Sequence, residues 1–477
     1  MRKTIAIAAL AVALGLGAAS ARAEQTALVL YETKGQQTVR QEGIAFIELD
    51  PQAPDYGKIL AQIPLPPDLM SHHIFYNPTR ERAYVTSLGR SELWVLDVTS
   101  FPYRTRVVAV PGCVVGEDLA FSEAQNRWYL TCMGSSVVIV GDAETDEVLE
   151  TLPMPAPYPH GITVHDGIDR MLVTSTINPK DPTDAGESIV VVQPSTGKIL
   201  STHKVADKPS PSGTAPVEAF FVPGANPPVA YITNMIEGRI WIAEWQPESE
   251  TFSFRGDFDF AAIGQGMALE VYFNAAGDRA YVTTALPGHL NAFDISDPRA
   301  PRHLYAAEAA GGAHHMVFSP DGTRAYVQNS LINIPGMNDG SISVIDLVAG
   351  KTLASIDTFK DAGLTVNTIM LTPRRKTFTP TDAMEATDAG GTIGSAGITG
   401  TQAVLMLEIG KRRQGTAASR RVMRAGRTAK TAAAWRVSLA PDPRRRSCRA
   451  HRLPRRRFRR ESAVFPRDRG RCPDRIG

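Results

Sequence analysis

Short runs in which hydrophobic and polar residues alternate with period two recur along most of the chain, separated by turns. One complete unit spans residues 311–356 and contains four such runs, at 315–318, 324–327, 341–346 and 351–356. The segment Ser319-Pro320-Asp321-Gly322 joins the first two runs, with Pro and Gly at the second and fourth positions of a type I turn. Period-two alternation without helical periodicity predicts four antiparallel strands that form one small sheet.

The unit repeats, and its second strand has the clearest signature, an Arg-Ala-Tyr-Val-Thr type of segment. Versions of this segment occur at 82–87, 127–132, 170–175, 230–234, 279–284 and 324–329. Their spacing is about 45 residues, and it is longer where loops near 179–186 and 206–215 intervene. This period, with four strands in each unit, is typical of a β-propeller.

The two ends of the chain contain the missing parts of one further unit. Six complete blades lie between His72 and Asp357, and a seventh inner strand follows at 367–373 without clear successors. The N-terminal runs 27–31, 44–50 and 58–63 supply three more strands. The sequence therefore predicts an all-β fold, a seven-bladed β-propeller of four-stranded antiparallel blades that is closed by N- and C-terminal strands.

The N-terminal segment 1–23 is typical of a secretory signal peptide. Arg2 and Lys3 precede an apolar stretch from Ile5 to Ala19, which is short for a transmembrane helix. We therefore expect cleavage after Ala23 and a periplasmic or secreted protein; a buried first strand is the alternative. No other apolar stretch approaches about 18 residues, so we expect a mature protein with no transmembrane segment.

The net charge of +2 is the sum of two opposed parts. Residues 411–477 contain 23 Lys and Arg against four acidic residues, which leaves a balance of −17 for residues 1–410. We predict that 411–477 is a disordered, Arg-rich tail, either a basic arm for anionic partners or the product of an altered reading frame. The propeller is assigned to 24–373, and 374–410 is an extension of uncertain structure.

The repeated Tyr-Val-Thr strands resemble those of the YVTN family of seven-bladed β-propellers. The resemblance covers roughly residues 27–373. It implies the propeller fold and an exported or surface-located bacterial protein. It implies little about function, because propellers include enzymes, binding proteins and scaffolds.

Polar residues stand at the start of the inner strands, just before their apolar runs. When these strands are aligned on the turns that follow them, one position is occupied by His72, Glu117, His160, Glu218, Leu269, His314 and Asn367. The next position is occupied by His73, Asp118, Gly161, Ala219, Glu270, His315 and Thr368. The alignment assumes one extra turn residue in the fourth blade. In a propeller these positions ring the mouth of the central channel.

This ring of histidines and glutamates is typical of a transition-metal site. The candidate ligands are His72, His73, His160, His314, His315, Glu117, Glu218 and Glu270. The first members His72, His160 and His314 are predicted to bind one ion of copper, iron or zinc. Because ligation requires unprotonated imidazoles, we expect affinity to fall below about pH 6.5. An organic ligand, or a wet channel mouth without any specific ligand, remains open as an alternative.

The ring also resembles the propeller domain of nitrous oxide reductase, which has an inner-strand His-His pair. Glu117, Glu218 and Glu270 stand where its all-histidine copper cluster would need imidazoles, so the resemblance implies the architecture and not the reaction. Iron propellers of the carotenoid-oxygenase type combine histidine with glutamate. Only their ligand composition is similar to the ring in this chain.

Cys113 and Cys132 flank one predicted hairpin. An exported protein meets an oxidising compartment, so we predict a disulfide between them. Two unpaired buried thiols are the alternative.

Taken together, these features favour an exported binding or accessory protein in an extracytoplasmic redox or metal pathway. A metal-dependent enzyme acting on a small molecule in the channel, and a protein-interaction scaffold without metal, are the alternatives. We expect a small molecule or a partner protein at the channel mouth, and a monomer. The acidity of residues 1–410 argues against nucleic acid as a partner of the propeller.

Overall fold

The structure of the chain, a computed structural model, describes residues 25–207 and 214–373. The predicted signal peptide 1–23 and the segments 374–410 and 411–477 lie outside the described residues. Within them, the chain forms seven four-stranded antiparallel sheets arranged as a β-propeller. The predicted fold class is therefore confirmed.

The strands follow one another with short connections. Three N-terminal strands come first, β1 (Thr26–Thr33), β2 (Glu42–Glu48) and β3 (Ile59–Leu65). Blade 1 consists of β4 (Ser71–Tyr76), β5 (Arg82–Ser87), β6 (Glu92–Asp97) and β7 (Arg104–Ala109). Blade 2 consists of β8 (Gly116–Ser122), β9 (Arg127–Cys132), β10 (Val137–Asp142) and β11 (Val148–Pro153). Blade 3 consists of β12 (Pro159–His165), β13 (Arg170–Ser175), β16 (Ser188–Gln193) and β17 (Lys198–Lys204), with the hairpin β14 (Ile177–Asn178) and β15 (Asp181–Ala185) inserted.

The second half of the propeller repeats the pattern. Blade 4 consists of β18 (Pro216–Phe221), β19 (Val229–Asn234), β20 (Arg239–Gln246) and β21 (Thr251–Asp259). Blade 5 consists of β22 (Gly266–Phe273), β23 (Arg279–Leu286), β24 (Gly288–Asp294) and β25 (Arg302–Glu308). Blade 6 consists of β26 (Ala313–Phe318), β27 (Arg324–Asn329), β28 (Ile342–Asp346) and β29 (Lys351–Ile356), and β30 (Leu364–Leu371) follows. Short helices span Asp166–Ile168, Phe260–Ile263 and Thr358–Asp361.

Both ends of the propeller chain form blade 7. Its strand order is β3-β2-β1-β30, and β1 pairs antiparallel with β30 in a register that sets Ala27 opposite Leu371 and Val29 opposite Ile369. The inner strands of neighbouring blades contact each other all the way round, including β30 with β4. The ring is therefore closed by strands from both ends, as the sequence predicts.

Each blade buries both of its faces, which explains the Tyr-Val-Thr signature. In β5, Tyr84 packs in an apolar cluster with Trp128 and Ile139 of blade 2. The next residue, Val85, points to the opposite face and packs in a different cluster with Leu28 and Phe46 of blade 7. A large aromatic residue followed by a β-branched residue thus fills both interfaces between neighbouring blades.

Cys113 and Cys132 form a disulfide, with their Cα atoms 5.1 Å apart. It joins the segment before β8 to the end of β9, where Cys132 pairs with Gly116. Among the described residues, no helix is long and apolar enough to cross a membrane.

Candidate metal centre

A β-bulge interrupts the inner strand of each of blades 1 to 6 at the predicted ligand positions. The pairing register with the second strand breaks between Ser71/Ile74, Gly116/Leu119, Pro159/Ile162, Pro216/Ala219, Ala268/Val271 and Ala313/Met316. Two consecutive residues therefore leave the ladder in each of these six blades. This irregularity frees both members of the His72-His73 and His314-His315 pairs from the strict alternation of a strand.

The threonine of the Tyr-Val-Thr signature holds the bulge in place. In blade 2, the Thr131 hydroxyl accepts the Asp118 backbone N–H at 2.9 Å and donates to the His160 carbonyl of blade 3 at 2.6 Å. In blade 3, the Thr174 hydroxyl accepts from Gly161 N–H at 2.8 Å. One hydroxyl thus satisfies a backbone group that the ladder leaves free and links neighbouring inner strands.

The predicted register of Glu218 is wrong by one position. The bulge of blade 4 contains Val217 and Glu218, and the Glu218 N–H donates to Thr233 Oγ1 at 3.2 Å, as Glu270 N–H does to Thr283. Glu218 is therefore the second bulge residue, equivalent to Glu270. The turn of blade 4 is longer than that of blade 1 by two residues, not one, so alignment on the turn displaced the strand.

One group of candidate ligands consists of His72, Glu117 and His160, whose ligand atoms all lie within 4.8 Å of one another. We call it the three-residue group. Glu117 Oε2 lies 3.4 Å from His72 Nε2 and 3.6 Å from His160 Nε2. Glu218 Oε1 lies 3.0 Å from the other ring nitrogen of His160.

The second group consists of His73, Glu270, His314 and His315, again with all ligand atoms within 4.8 Å of one another. We call it the four-residue group. Glu270 Oε1 lies 3.3 Å from His314 Nε2 and 3.8 Å from His315 Nδ1. The structure thus places His314 with His73, and not with the predicted partners His72 and His160.

The two groups adjoin each other and form one cluster. The rings of His72 and His73 stack with centroids 4.1 Å apart, and those of His314 and His315 are 4.0 Å apart. The rings of His72 and His314, which belong to different groups, lie 5.9 Å apart. The structure therefore brings together all eight predicted residues, which we call the axial cluster: His72, His73, His160, His314, His315, Glu117, Glu218 and Glu270.

The axial cluster is buried rather than open at a wet channel mouth. Glu117 is fully buried and His160, the most exposed of the eight, is 8% exposed. Among the described residues, many of its polar atoms nevertheless have no hydrogen-bond partner: His73 Nε2, His160 Nδ1, His314 Nδ1, His315 Nε2, both carboxylate oxygens of Glu117, and Glu270 Oε1. Buried polar atoms are ordinarily satisfied, so this set of orphan atoms needs an explanation.

Burial keeps four imidazoles of the cluster neutral. It lowers the pKa of His73 and of His160 to about 3. Burial, together with repulsion from neighbouring imidazoles, lowers the pKa of His72 and of His315 well below the usual value. Neutral imidazole is the ligating form. Protonation of these histidines therefore competes with metal only at a pH well below the expected 6.5.

Burial acts on the carboxylates in the opposite direction. It raises the pKa of Glu117 and of Glu218 well above the usual range. Among the described residues, the ion-pair partners found for Glu117 are His72 and His160, and the partner found for Glu218 is His160; burial keeps both histidines neutral. A bound cation would supply the missing positive charge and stabilise the ionised carboxylates.

Two residues outside the predicted set orient the histidines. Asp118 Oδ1 lies 3.1 Å from His73 Nδ1, and Asp118 Oδ2 accepts the Ile162 N–H at 3.2 Å. The Tyr272 hydroxyl lies 3.2 Å from His315 Nδ1 and accepts the Met316 N–H. In both histidines Nε2 remains unpaired, which is the arrangement found around metal-ligating imidazoles. Asp118 stood in the sequence alignment of the ring, but no local pattern indicated Tyr272.

Gly161 makes room for Glu218. A Cβ atom at Gly161 would lie 2.3 Å from the Val217 carbonyl oxygen and 2.7 Å from Glu218 Oε2. At the seventh position of the ring, Asn367 donates to the carbonyl of Ser71 at 3.0 Å and to Glu32. Blade 7 therefore contributes a hydrogen-bonding residue where other blades contribute histidine or glutamate.

The spacing of the ligand atoms fits a metal ion. Two ligands about 2.1 Å from one ion in tetrahedral geometry are separated by about 3.4 Å. The closest nitrogen–oxygen distances around Glu117 and Glu270 are 3.4 and 3.3 Å. These oxygens form no hydrogen bond with the facing nitrogens, so their lone pairs remain available. The donors, imidazole nitrogen and carboxylate oxygen, suit zinc, iron or copper.

No protein-family model matches this chain, and no curated protein matches its sequence. Solved structures of propeller proteins match its fold. A hypothetical selenium-binding protein from Sulfolobus tokodaii is 14% identical with a TM-score of 0.58, covering 74% of this chain and 92% of that one. A protein from Lactobacillus plantarum is 13% identical with a TM-score of 0.53, covering 73% and 99%.

A third structure, a putative 6-phosphogluconolactonase from Bacteroides fragilis, is 10% identical with a TM-score of 0.52 and covers 74% of this chain and 99% of its own. At such identities the likeness shows the fold alone. The class of the protein is a seven-bladed β-propeller whose buried His and Glu groups could hold metal.

Proposed function

We propose that this protein is an exported β-propeller that binds a transition metal through its axial cluster. Its role would be that of a binding or accessory protein in an extracytoplasmic redox or metal pathway. The resemblance to YVTN propellers and the signal-peptide pattern of residues 1–23 support the exported location.

The observation that carries the proposal is the burial of unpaired ligand atoms around a single axis. Burying polar atoms without partners costs free energy, and burying carboxylates without a cation costs more. His73 Nδ1–H and His315 Nδ1–H meanwhile donate to Asp118 and to the Tyr272 hydroxyl oxygen in the tautomer that ligates, which leaves Nε2 of each ring free. A metal ion bound to the cluster would remove both costs together.

Elemental analysis of the protein purified from its native compartment tests the proposal. We expect at least one equivalent of copper, iron or zinc in each chain. The variant His160→Ala/His314→Ala should lose most of this metal and retain the circular dichroism of a β-sheet protein. A matched variant, His203→Ala on the outer strand β17, should keep its metal. Full metal content in the double variant would contradict the assignment of the site.

A metal-dependent enzyme is the second candidate. Glu218 lies 3.0 Å from His160, and burial raises its pKa well above the usual range. A carboxyl group in this position could accept or donate a proton beside a metal-bound molecule. Binding of an exogenous ligand such as azide to the metal tests the enzyme candidate, because catalysis requires an open coordination position; a metal that excludes azide would contradict it.

A further inference from the structure

We propose that the axial cluster holds two metal ions in unequal positions, one with a complete protein ligand shell and one with an open position for a small exogenous ligand. This inference rests on the proposed function, since it assumes that the cluster binds metal. It adds the number of ions, the ligands of each, and the class of molecule that binds to the open ion.

The number of metal ions follows from the way the ligand atoms are grouped. The three-residue group and the four-residue group each converge within 4.8 Å, and together they offer seven ligands. Transition-metal sites built from His and carboxylate hold about four to six ligands around one ion. The bulge of blade 1 also sends the adjacent residues His72 and His73 into different groups. Two ions use all seven ligands, whereas one ion would leave buried ligands unpaired.

The four-residue group defines the closed position. Three imidazoles and the carboxylate of Glu270 complete a tetrahedral shell. Two of these imidazoles are held in orientation by neighbours, His73 by Asp118 and His315 by Tyr272. A shell of four oriented protein ligands leaves no position for an exogenous molecule.

The three-residue group defines the open position. Two imidazoles and one carboxylate are the ligand set of hydrolytic zinc sites and of non-haem iron sites, both of which keep at least one position free. Glu218 does not fill that position, because it faces Nδ1 of His160 whereas Glu117 faces Nε2. Glu218 instead stands beside His160, at the ring nitrogen away from Glu117.

Burial of the three ligands limits what can bind there. His72 is 2% exposed, His160 is 8% exposed and Glu117 is fully buried. The ligand class is therefore a small molecule or anion of two or three heavy atoms, of the size of azide or dioxygen.

Titration of the metal-free full-length protein with CoCl2 tests this inference, because tetrahedral Co2+ absorbs visible light far more strongly than five- or six-coordinate Co2+. We expect two equivalents to bind to the unmodified protein. The variant His72→Gln/His160→Gln should bind one, with intense bands that sodium azide leaves unchanged. The variant His314→Gln/His315→Gln should also bind one, with bands that sodium azide shifts.

A stoichiometry of one in the unmodified protein, or loss of all Co2+ from both variants, would overturn the two-ion inference and leave the proposed function intact. Absence of Co2+ binding in the unmodified protein would overturn both. Circular dichroism and thermal unfolding establish that each variant is folded. If a double variant is not, the single variants His160→Gln and His315→Gln replace it, with the same expected loss of one equivalent.

Discussion

Glu117 illustrates how single residues in this protein are specialised at a cost to stability. Its carboxylate is fully buried and lies between His72 and His160 without forming a hydrogen bond to either. In a core selected for stability alone, such a residue would be replaced by an apolar one of similar volume. A role in binding a cation explains why glutamate stands there.

The substitution Glu117→Gln is expected to have opposite effects on the metal-free and metal-bound proteins. Burial raises the pKa of Glu117 above 4.5, so the folded metal-free state binds a proton that the unfolded state has lost. The stability of the metal-free protein therefore falls as pH rises above 4.5, by at most about 1.4 kcal/mol per pH unit for this group. Glutamine does not titrate and escapes this loss.

Urea unfolding of the metal-free proteins at pH 4.5 and pH 7.5 measures this effect. The variant should gain stability relative to the unmodified protein between the two values, while its metal affinity falls. An equal stability difference at both pH values would show that Glu117 is not buried as a carboxyl group. The matched variant Glu123→Gln, in the exposed turn that follows β8, should show neither effect.

Local patterns identified the residues of the axial cluster but not the residues that orient its histidines. A polar residue before an apolar run is visible in any one blade, so all eight residues of the axial cluster could be predicted. Asp118 and Tyr272 instead contact histidines 45 and 43 residues away, about one blade along the chain. Contacts between neighbouring blades depend on the directions of side chains from two repeats, which cannot be predicted from the sequence of one repeat.

The bulged inner strand is the element that brings the polar residues of the repeats together in the axial cluster. Its two unpaired residues would lie on opposite faces of a regular strand, and the bulge lets both join the cluster. Thr131 shows how the sequence specifies this shape, since its hydroxyl bonds the Asp118 N–H and the His160 carbonyl. The sequence predicted that the signature segment is a strand. It could not predict the role of the threonine, because one of its hydrogen bonds is to the neighbouring blade.

Replacement of Thr131 by valine should destabilise the propeller and weaken metal binding. The change leaves the Asp118 N–H and the His160 carbonyl buried and unpaired, which costs about 1–3 kcal/mol. Valine has nearly the same volume and a high strand propensity, so lost packing does not explain the effect. Chemical denaturation and a metal titration measure the two consequences.

The exposed residue Thr202 of β17 provides the control. Thr202→Val should change stability by less than about 0.5 kcal/mol and leave metal affinity unchanged. If Thr131→Val behaved like this control, the hydroxyl would have no part in holding the bulge.

The disulfide between Cys113 and Cys132 constrains the start of the inner strand of blade 2, which carries Glu117. It closes a segment with a sequence separation of 19 residues. The chain-entropy model assigns about 3 kcal/mol to a loop of this size. The double variant Cys113→Ser/Cys132→Ser should unfold at a correspondingly lower urea concentration, and dithiothreitol should destabilise only the unmodified protein. Unchanged midpoints in both experiments would refute the contribution.

Two features of individual elements could not be predicted from the sequence pattern: the register of blade 4 and the hairpin β14–β15. The turn of blade 4 has two more residues than that of blade 1. The sequence does not show where the strands on either side of this turn end, so it could not distinguish one extra residue from two. The hairpin strands β14 and β15 are short and mostly polar, and such strands have no recognisable hydrophobic period.

Across the whole molecule, the closed ring makes stability depend on both ends of the propeller chain. A four-stranded blade buries both of its faces only when both neighbouring blades are present. The strands are therefore strongly apolar, and this made the fold class predictable from the sequence. Blade 7 joins β1–β3 to β30 and lies between blades 6 and 1. The closure could be predicted because six complete units left complementary fragments at the two ends.

A charge placed in β1 tests this closure. Val29 is fully buried and pairs with Ile369 of β30, so Val29→Asp should cost about 3 kcal/mol or more. Val107 of the outer strand β7 is 47% exposed, and Val107→Asp should cost less than about 0.5 kcal/mol. Equal unfolding midpoints for the two variants would contradict a core position for β1.

Anomalous X-ray diffraction from crystals of the protein purified with its native metal, recorded above and below the absorption edge of that metal, tests the central claim most directly. The predicted result is an edge-dependent peak within about 2.3 Å of at least three ligand atoms of the axial cluster, among them a carboxylate oxygen of Glu117 or Glu270. A native metal peak elsewhere in the molecule, or the absence of any peak within the axial cluster, would contradict the assignment of this cluster as the metal centre.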